Sequence, residues 1–133
     1  MLDNRLIVIN LYELIEAPED FTQAIRALAT RVEAEGDPGV LAYRFFVDAA
    51  ERTARGVVEY QDPDAWIGHH DIAMGWPEMT ALHSVARLAE VVFLGPLTPE
   101  IRAWIDGSTL TARIRSGNSF AGGFRRAGGE PFD

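Results

Sequence analysis

Leu6-Ile7-Val8-Ile9-Asn10-Leu11-Tyr12-Glu13-Leu14 is the stretch on which the fold turns. Ile7, Ile9 and Leu11 alternate with Leu6, Val8, Asn10, Tyr12 and Leu14, the two-residue period of a strand. One set is purely aliphatic. The other is interrupted only by the Asn10 amide and the Tyr12 hydroxyl. A strand that is apolar on both faces belongs in the middle of a sheet and needs cover on both sides.

Working outward, Pro18 stands where a first helical residue should, and Glu19 and Asp20 favour the positive end of the helix dipole. Phe21, Ile25, Leu28 and Val32 form one apolar stripe, Gly36 ends the helix, and Asp37-Pro38-Gly39 is a turn. Residues Val40 to Val47 read as a second strand, with Tyr43 and Phe45 on one face and Arg44 and Phe46 on the other. A polar connection, Ala49 to Thr53, leads to a third strand, Arg55 to Tyr60. Asp62-Pro63 caps and opens a second helix, with Trp66, His70 and Ala73 on one face. Gly75-Trp76-Pro77 breaks it, and a piece from Glu78 carries Met79, Leu82, His83 and Ala86. Leu88 to Leu94 is a fourth strand, closed by Gly95-Pro96.

The resulting β-α-β-β-α-β order over residues 5–95 predicts a half-open sheet completed by a second copy of the chain. An appendage follows. Thr98-Pro99-Glu100 opens a short helix with Ile101, Trp104 and Ile105 inward, and Gly107 stops it. Leu110, Ala112 and Ile114 alternate with Thr111, Arg113 and Arg115 as an extra strand. From Gly117 onward the chain is Gly-rich and carries Phe120, Phe124 and Phe132, rings expected to dock across a dimer. The expected division is residues 1–97 as the main unit and 98–133 as a C-terminal helix–strand extension with a Gly-rich tail.

Composition narrows the function. The chain has 133 residues, 20 acids against 12 bases and a net charge of −8. Every base is Arg. So acidic a body is a poor partner for nucleic acid or an anionic membrane surface. The absence of cysteine excludes disulfides, thiolate metal sites and a thiol nucleophile. No apolar run reaches the ~18 residues of a spanning helix, and the N-terminus lacks the features of a signal peptide, so a cytoplasmic protein is expected. Gly122-Gly123 and Gly128-Gly129 lie in the tail, not between a strand and a helix, and Gly-x-Ser-x-Gly is absent. ATP, NAD and serine-hydrolase readings are unsupported.

The candidate site residues are few. Asn10 is an amide on a buried strand, satisfied by neighbouring backbone or a dimer mate, or else a hydrogen-bond donor to a bound oxygen or carbonyl. His70 shares the Trp66 face, and His83 shares a stripe with Met79. His70 reads as a capped or surface histidine and His83 as a core one, or else each as a group able to move a proton near neutral pH. His69 and His70 point ~100° apart on a helix, so no metal site is expected, and His69 is expected to face solvent or a dimer mate. Tyr43, Trp66 and Trp76 are ordinary core aromatics or the walls of an apolar pocket. Arg44 pairs with an acid or stabilises a phenolate.

Val57-Val58-Glu59-Tyr60-Gln61-Asp62-Pro63-Asp64-Ala65-Trp66-Ile67-Gly68-His69-His70 resembles the strand-to-helix segment of antibiotic-biosynthesis-monooxygenase (ABM) domains. There an aromatic strand end precedes an acidic helix start and a histidine about two turns on. Gly39-Val40-Leu41-Ala42-Tyr43-Arg44-Phe45 is similar to that family's second strand. The resemblance spans residues 5–95. It implies an α+β, ferredoxin-like domain whose sheet packs on its twin's to form a dimeric α+β barrel. It further implies a cofactor-independent monooxygenase for a small hydroxyaromatic or quinol-type substrate. His70, His83 and Asn10 would be catalytic, and Tyr43, Arg44, Trp66, Trp76 and Met79 would bind substrate, with no metal or cofactor. The alternative is a non-catalytic dimeric domain that binds a small aromatic ligand or a partner. In the family's haem-degrading branch Asn10 and His83 have counterparts, but a Trp is expected near the end of the third strand, where this chain has Tyr60.

Overall fold

The structure is a computed structural model and describes residues 5–126. Its elements are β1 (Leu6–Leu14), α1 (Pro18–Glu35), β2 (Val40–Asp48), β3 (Thr53–Tyr60), α2 (Pro63–Ala73), α3 (Pro77–Val85), β4 (Ala86–Leu94), α4 (Pro99–Asp106) and β5 (Arg113–Asn118). One five-stranded sheet has the order β2-β3-β1-β4-β5. All its pairs are antiparallel except β4–β5. The doubly apolar β1 lies at its centre.

The helix starts follow their local chemistry. Pro18, Pro63, Pro77 and Pro99 each occupy a first-turn position, where their missing N–H has no cost. The Asp62 carboxylate accepts from the Ala65 N–H at 3.0 Å, and the Thr98 hydroxyl from the Ile101 N–H at 3.2 Å. Trp76-Pro77 ends one helix and begins the next, so α2 and α3 are separate elements.

Several strand boundaries differ from the sequence reading: β2 ends at Asp48 and β3 starts at Thr53, taking in residues read as lying between the strands. β4 starts at Ala86, directly after α3, and a register shift beside Leu11 and Tyr12 lets it pair with β1 along its length. β5 starts at Arg113, not Leu110, because its parallel register places Arg113 beside Glu90 and Ile114 beside Val91. A parallel partner needs a crossover. Here α4 and residues 107–112 supply it, and Leu110 and Ala112 are drawn against the core as half-buried loop residues.

The helices cover one sheet face, where the core forms in two lobes. Phe21, Leu28 and Val32 of α1 and Leu82 of α3 pack on Tyr12, Leu14, Ala54 and Ala86. Trp66 of α2 and Ile101 and Ile105 of α4 pack on Leu6, Val8, Val58, Val91 and Phe93. The opposite face carries Ile7, Ile9, Leu11, Val57 and Val92, all part-exposed, with Phe46 52 % exposed. Glu59 also belongs to this second face, opposite Ile7, yet is only 5 % exposed. Arg125 binds both its carboxylate oxygens, at 2.8 and 2.7 Å, and Arg5 lies 3.4 Å away. The tail therefore returns to the sheet at Arg125. Phe120 and Phe124 of that tail are 66 % and 83 % exposed in the single chain. Phe132 lies outside the described residues.

Gly56 marks the tightest point of the sheet. It sits between Phe45 and Asn10, and a Cβ there would stand 2.4 Å from the Phe45 ring. That ring is itself packed on Tyr12 and Tyr43. Gly56→Ala should destabilise the chain by about 1–3 kcal/mol through overpacking, read as a lower midpoint in urea unfolding. An unchanged midpoint would show that Phe45 is free to move.

Candidate functional site

Where the two core lobes part, a cavity of about 280 Å³ opens. Its floor is the helix-covered sheet face, with Asn10 and Val91 side by side. Trp66, His69 and His70 of α2, Met79 and His83 of α3, and Trp104 of α4 form its sides. Ser108 to Thr111, the loop after α4, complete the wall. The C-terminal extension is thus part of the cavity.

Of the residues singled out from the sequence, Asn10, Tyr43, Trp66, His70, Met79 and His83 all meet here. Two do not. Trp76 stacks under the Arg31 guanidinium, 4.3 Å from the ring centre, between α1 and α3. Arg44 lies exposed on the opposite sheet face, 5.4 Å over the Phe46 ring. His69, expected to face solvent or a mate, is 3 % exposed and lines the cavity. Adjacent helical positions diverge, but the cavity wraps around α2. His69 therefore faces Tyr43 and Tyr60 on the sheet side, while His70 faces Trp66 and Trp104 on the α4 side. Tyr12, Tyr60 and Trp104 are further lining residues that periodicity alone marked as plain core.

His70 is the most firmly held of the histidines. Its ring stacks on Trp66 with centroids 3.9 Å apart. Its Nδ1 lies 2.7 Å from the Trp66 carbonyl. A carbonyl only accepts, so Nδ1 carries the proton and Nε2 keeps its lone pair. Burial, reinforced by His69, lowers the His70 pKa to about 3. Burial lowers that of His69 to about 4. His83, exposed on α3, is also lowered by the partial burial of its ring. Desolvation pushes the Tyr12, Tyr43 and Tyr60 hydroxyls upward, so they stay protonated donors. At neutral pH the cavity is polar in its hydrogen-bonding groups but uncharged at these side chains. Among the described residues no cluster of His, Asp and Glu is arranged to hold a metal ion.

No family model and no curated protein sequence matches this chain. Solved structures do. MupZ from Pseudomonas fluorescens superposes with a TM-score of 0.68 at 14 % identity, over 96 % of this chain and 94 % of its own. SnoaB from Streptomyces nogalater, a cofactor-independent oxygenase, superposes in a mutant form with a TM-score of 0.59 at 17 % identity, over 71 % of this chain and 95 % of its own. A candidate antibiotic biosynthesis monooxygenase from Caulobacter crescentus gives 0.59 at 19 % identity, over 72 % and 92 %. This chain has the ABM fold. It is the α+β, ferredoxin-like arrangement that the element order and the resemblance at Val57 to His70 predicted. The match to MupZ takes in nearly the whole chain, so the C-terminal extension is part of that likeness.

The histidines predict an acid-sensitive fold. Their pKa values lie below the unfolded value of ~6.5, so below that pH the unfolded chain binds protons that the folded chain refuses. Stability is full above pH 6.5 and falls as the pH drops towards the folded values. By pH 5, His69 and His70 should each have cost about 2 kcal/mol, from values of about 4 and 3. Urea midpoints at pH 8 and pH 5 test this, and His70→Asn should remove about half of the difference. Equal midpoints at both pH values would mean the rings are solvated.

Proposed function

We propose that the chain is a cofactor-independent monooxygenase acting on a small hydroxyaromatic or quinol-type substrate. The observation that carries this reading is the convergence of Asn10, His70 and His83 with Trp66, Tyr43 and Trp104 on one cavity. An electron-rich phenolate can reduce dioxygen by itself, so the protein has three tasks. It must hold the ring in a dry pocket, take the phenol proton and stabilise the oxyanion that develops.

The roles follow from the surroundings. The stacked and tethered His70 presents Nε2 as a fixed acceptor that orients the substrate hydroxyl. His83, exposed to solvent, takes the proton. The deprotonated ring passes one electron to dioxygen, and the two radicals join through a C–O bond. The peroxide then recovers a proton from His83 while the same ring carbon loses its hydrogen as a proton. The O–O bond breaks, one oxygen remains as a quinone carbonyl and the other leaves as water. A phenol and dioxygen thus become a quinone and water, with no external reductant. The Asn10 amide donates to the peroxide oxygen as it gains charge.

The depressed basicity of His69 and His70 favours a second reading, a cavity that binds a small aromatic ligand without turning it over. Oxygen consumption over a panel of hydroquinones and naphthols separates the two. Under the enzyme reading, Asn10→Ala and His83→Gln should each reduce kcat by about 100-fold while shifting the thermal midpoint little. Oxygen uptake that never exceeds the buffer rate would leave only the binding reading.

A homodimer belongs to this proposal. Ile7, Ile9, Leu11, Val57 and Val92 make an apolar strip on the sheet face that the four helices leave uncovered, and a second sheet packed there would bury it. Ile9→Glu puts a charge in the middle of that strip. It should convert a dimer seen by sedimentation into a monomer with the same far-ultraviolet dichroism. A wild-type chain that sediments as a monomer at micromolar concentration would overturn the assignment.

A further inference from the structure

We propose that His69 binds the far end of the ligand, and that the ligand carries a second oxygen function there. This rests on the reading of the cavity as a hydroxyaromatic site and adds to it a residue with no part in the oxidation itself.

The starting point is an unmet polar group. His69 keeps only 3 % of its surface exposed, and its Nδ1 has no hydrogen-bond partner. Its neighbour shows what an α-helix ordinarily offers. His70 Nδ1 donates to the carbonyl four residues earlier, whereas no such bond forms from His69 Nδ1 to Ala65. Buried side-chain polar atoms in native proteins nearly always have a partner, so each exception asks for an account. Nδ1 itself is closed off from the cavity, so the ring, which borders the cavity, meets a ligand through Nε2, which also has no partner among the described residues.

The position is as telling as the orphaned nitrogen. His69 meets the Tyr43 and Tyr60 rings edge-on or tilted, at 5.4 and 6.1 Å. Tyr60 pairs with Leu6 of β1, and Tyr43 reaches Val8 through Val58. Asn10 lies two to four residues further along the same strand, about 7–13 Å away. The cavity therefore has two polar ends. One is Asn10 with His83, where the reaction is placed. The other is His69 among Tyr43 and Tyr60. The stacked Trp66 and His70 rings form the wall on the α4 side, with the His70 acceptor serving the reacting end. A ring system with one oxygen substituent satisfies a single end and leaves His69 unmet. A second hydroxyl at the opposite end gives His69 its partner.

His69 is then a specificity residue, since a site built to hydrogen-bond a hydroxyl rejects the analogue that lacks it. Calorimetric titration without oxygen compares 2-naphthol with 2,6-dihydroxynaphthalene. Wild type should bind the diol about tenfold more tightly or better. In His69→Phe, which keeps an aromatic ring but no nitrogen, the two affinities should come within about twofold. His69→Gln, which can still hydrogen-bond, should keep most of the preference. His69→Leu makes the same comparison should the Phe variant fail to fold. A diol preference that survives in His69→Phe, or one absent from wild type while both compounds bind, overturns the role of His69 and leaves the aromatic site standing. Failure of wild type to bind either compound removes the hydroxyaromatic reading of the cavity as well.

Discussion

The structure depends on one constraint, the need of β1 to be covered on both faces. Leu6, Val8, Tyr12 and Leu14 are met by the helices of the same chain. Ile7, Ile9 and Leu11 are not. The first face builds the two core lobes, and Asn10 falls where they part. A hydrophobic residue at position 10 would favour joining the lobes. The amide resists dry burial, since an unpaired polar group there costs about 1–3 kcal/mol. The polar position in the middle of the most apolar strand is thus the reason a cavity exists at this place.

The cavity's electrostatics follow from the same enclosure. Low polarity around α2 discourages charge on His69 and His70, and the His69 ring discourages it further on His70. Neutral imidazoles can orient a hydroxyl without forming a salt with it. His83, in contrast, is the histidine of the cavity with access to water. One short helix therefore holds its cavity-facing rings uncharged, and the next carries the histidine exposed to solvent.

Most of the fold was legible because its signals are local. The proline-led helix starts, the Asp62 cap and the alternation in β1 each act within a few residues, and all are present in the structure. The start of β5 was not legible. Leu110 and Ala112 alternate as a strand would, but the register is set by Glu90 and Val91, more than twenty residues away. The site was legible only in part for a similar reason. Asn10, His70 and His83 stand out as polar groups in apolar company. His69 was missed because neighbouring helical positions diverge, and only the cavity's path around α2 lets both rings reach it. Trp104 was read as core and is core, but at the core's surface, where its indole N–H donates to Asp71 at 2.8 Å and ties α4 to α2.

The parallel strand added by the extension also changes how the molecule meets others. Without β5, the long, apolar β4 would end the sheet, presenting unpaired N–H and C=O groups along nine residues. Such an edge is a template for any extended chain. β5 covers it with six residues that include Arg113 and Arg115, the latter ion-paired to Glu90. The new border is short and carries the charged Arg113 beside the Arg115–Glu90 pair. A border so shortened offers an extended chain little to pair with, and border-to-border growth, which has no natural end, is disfavoured.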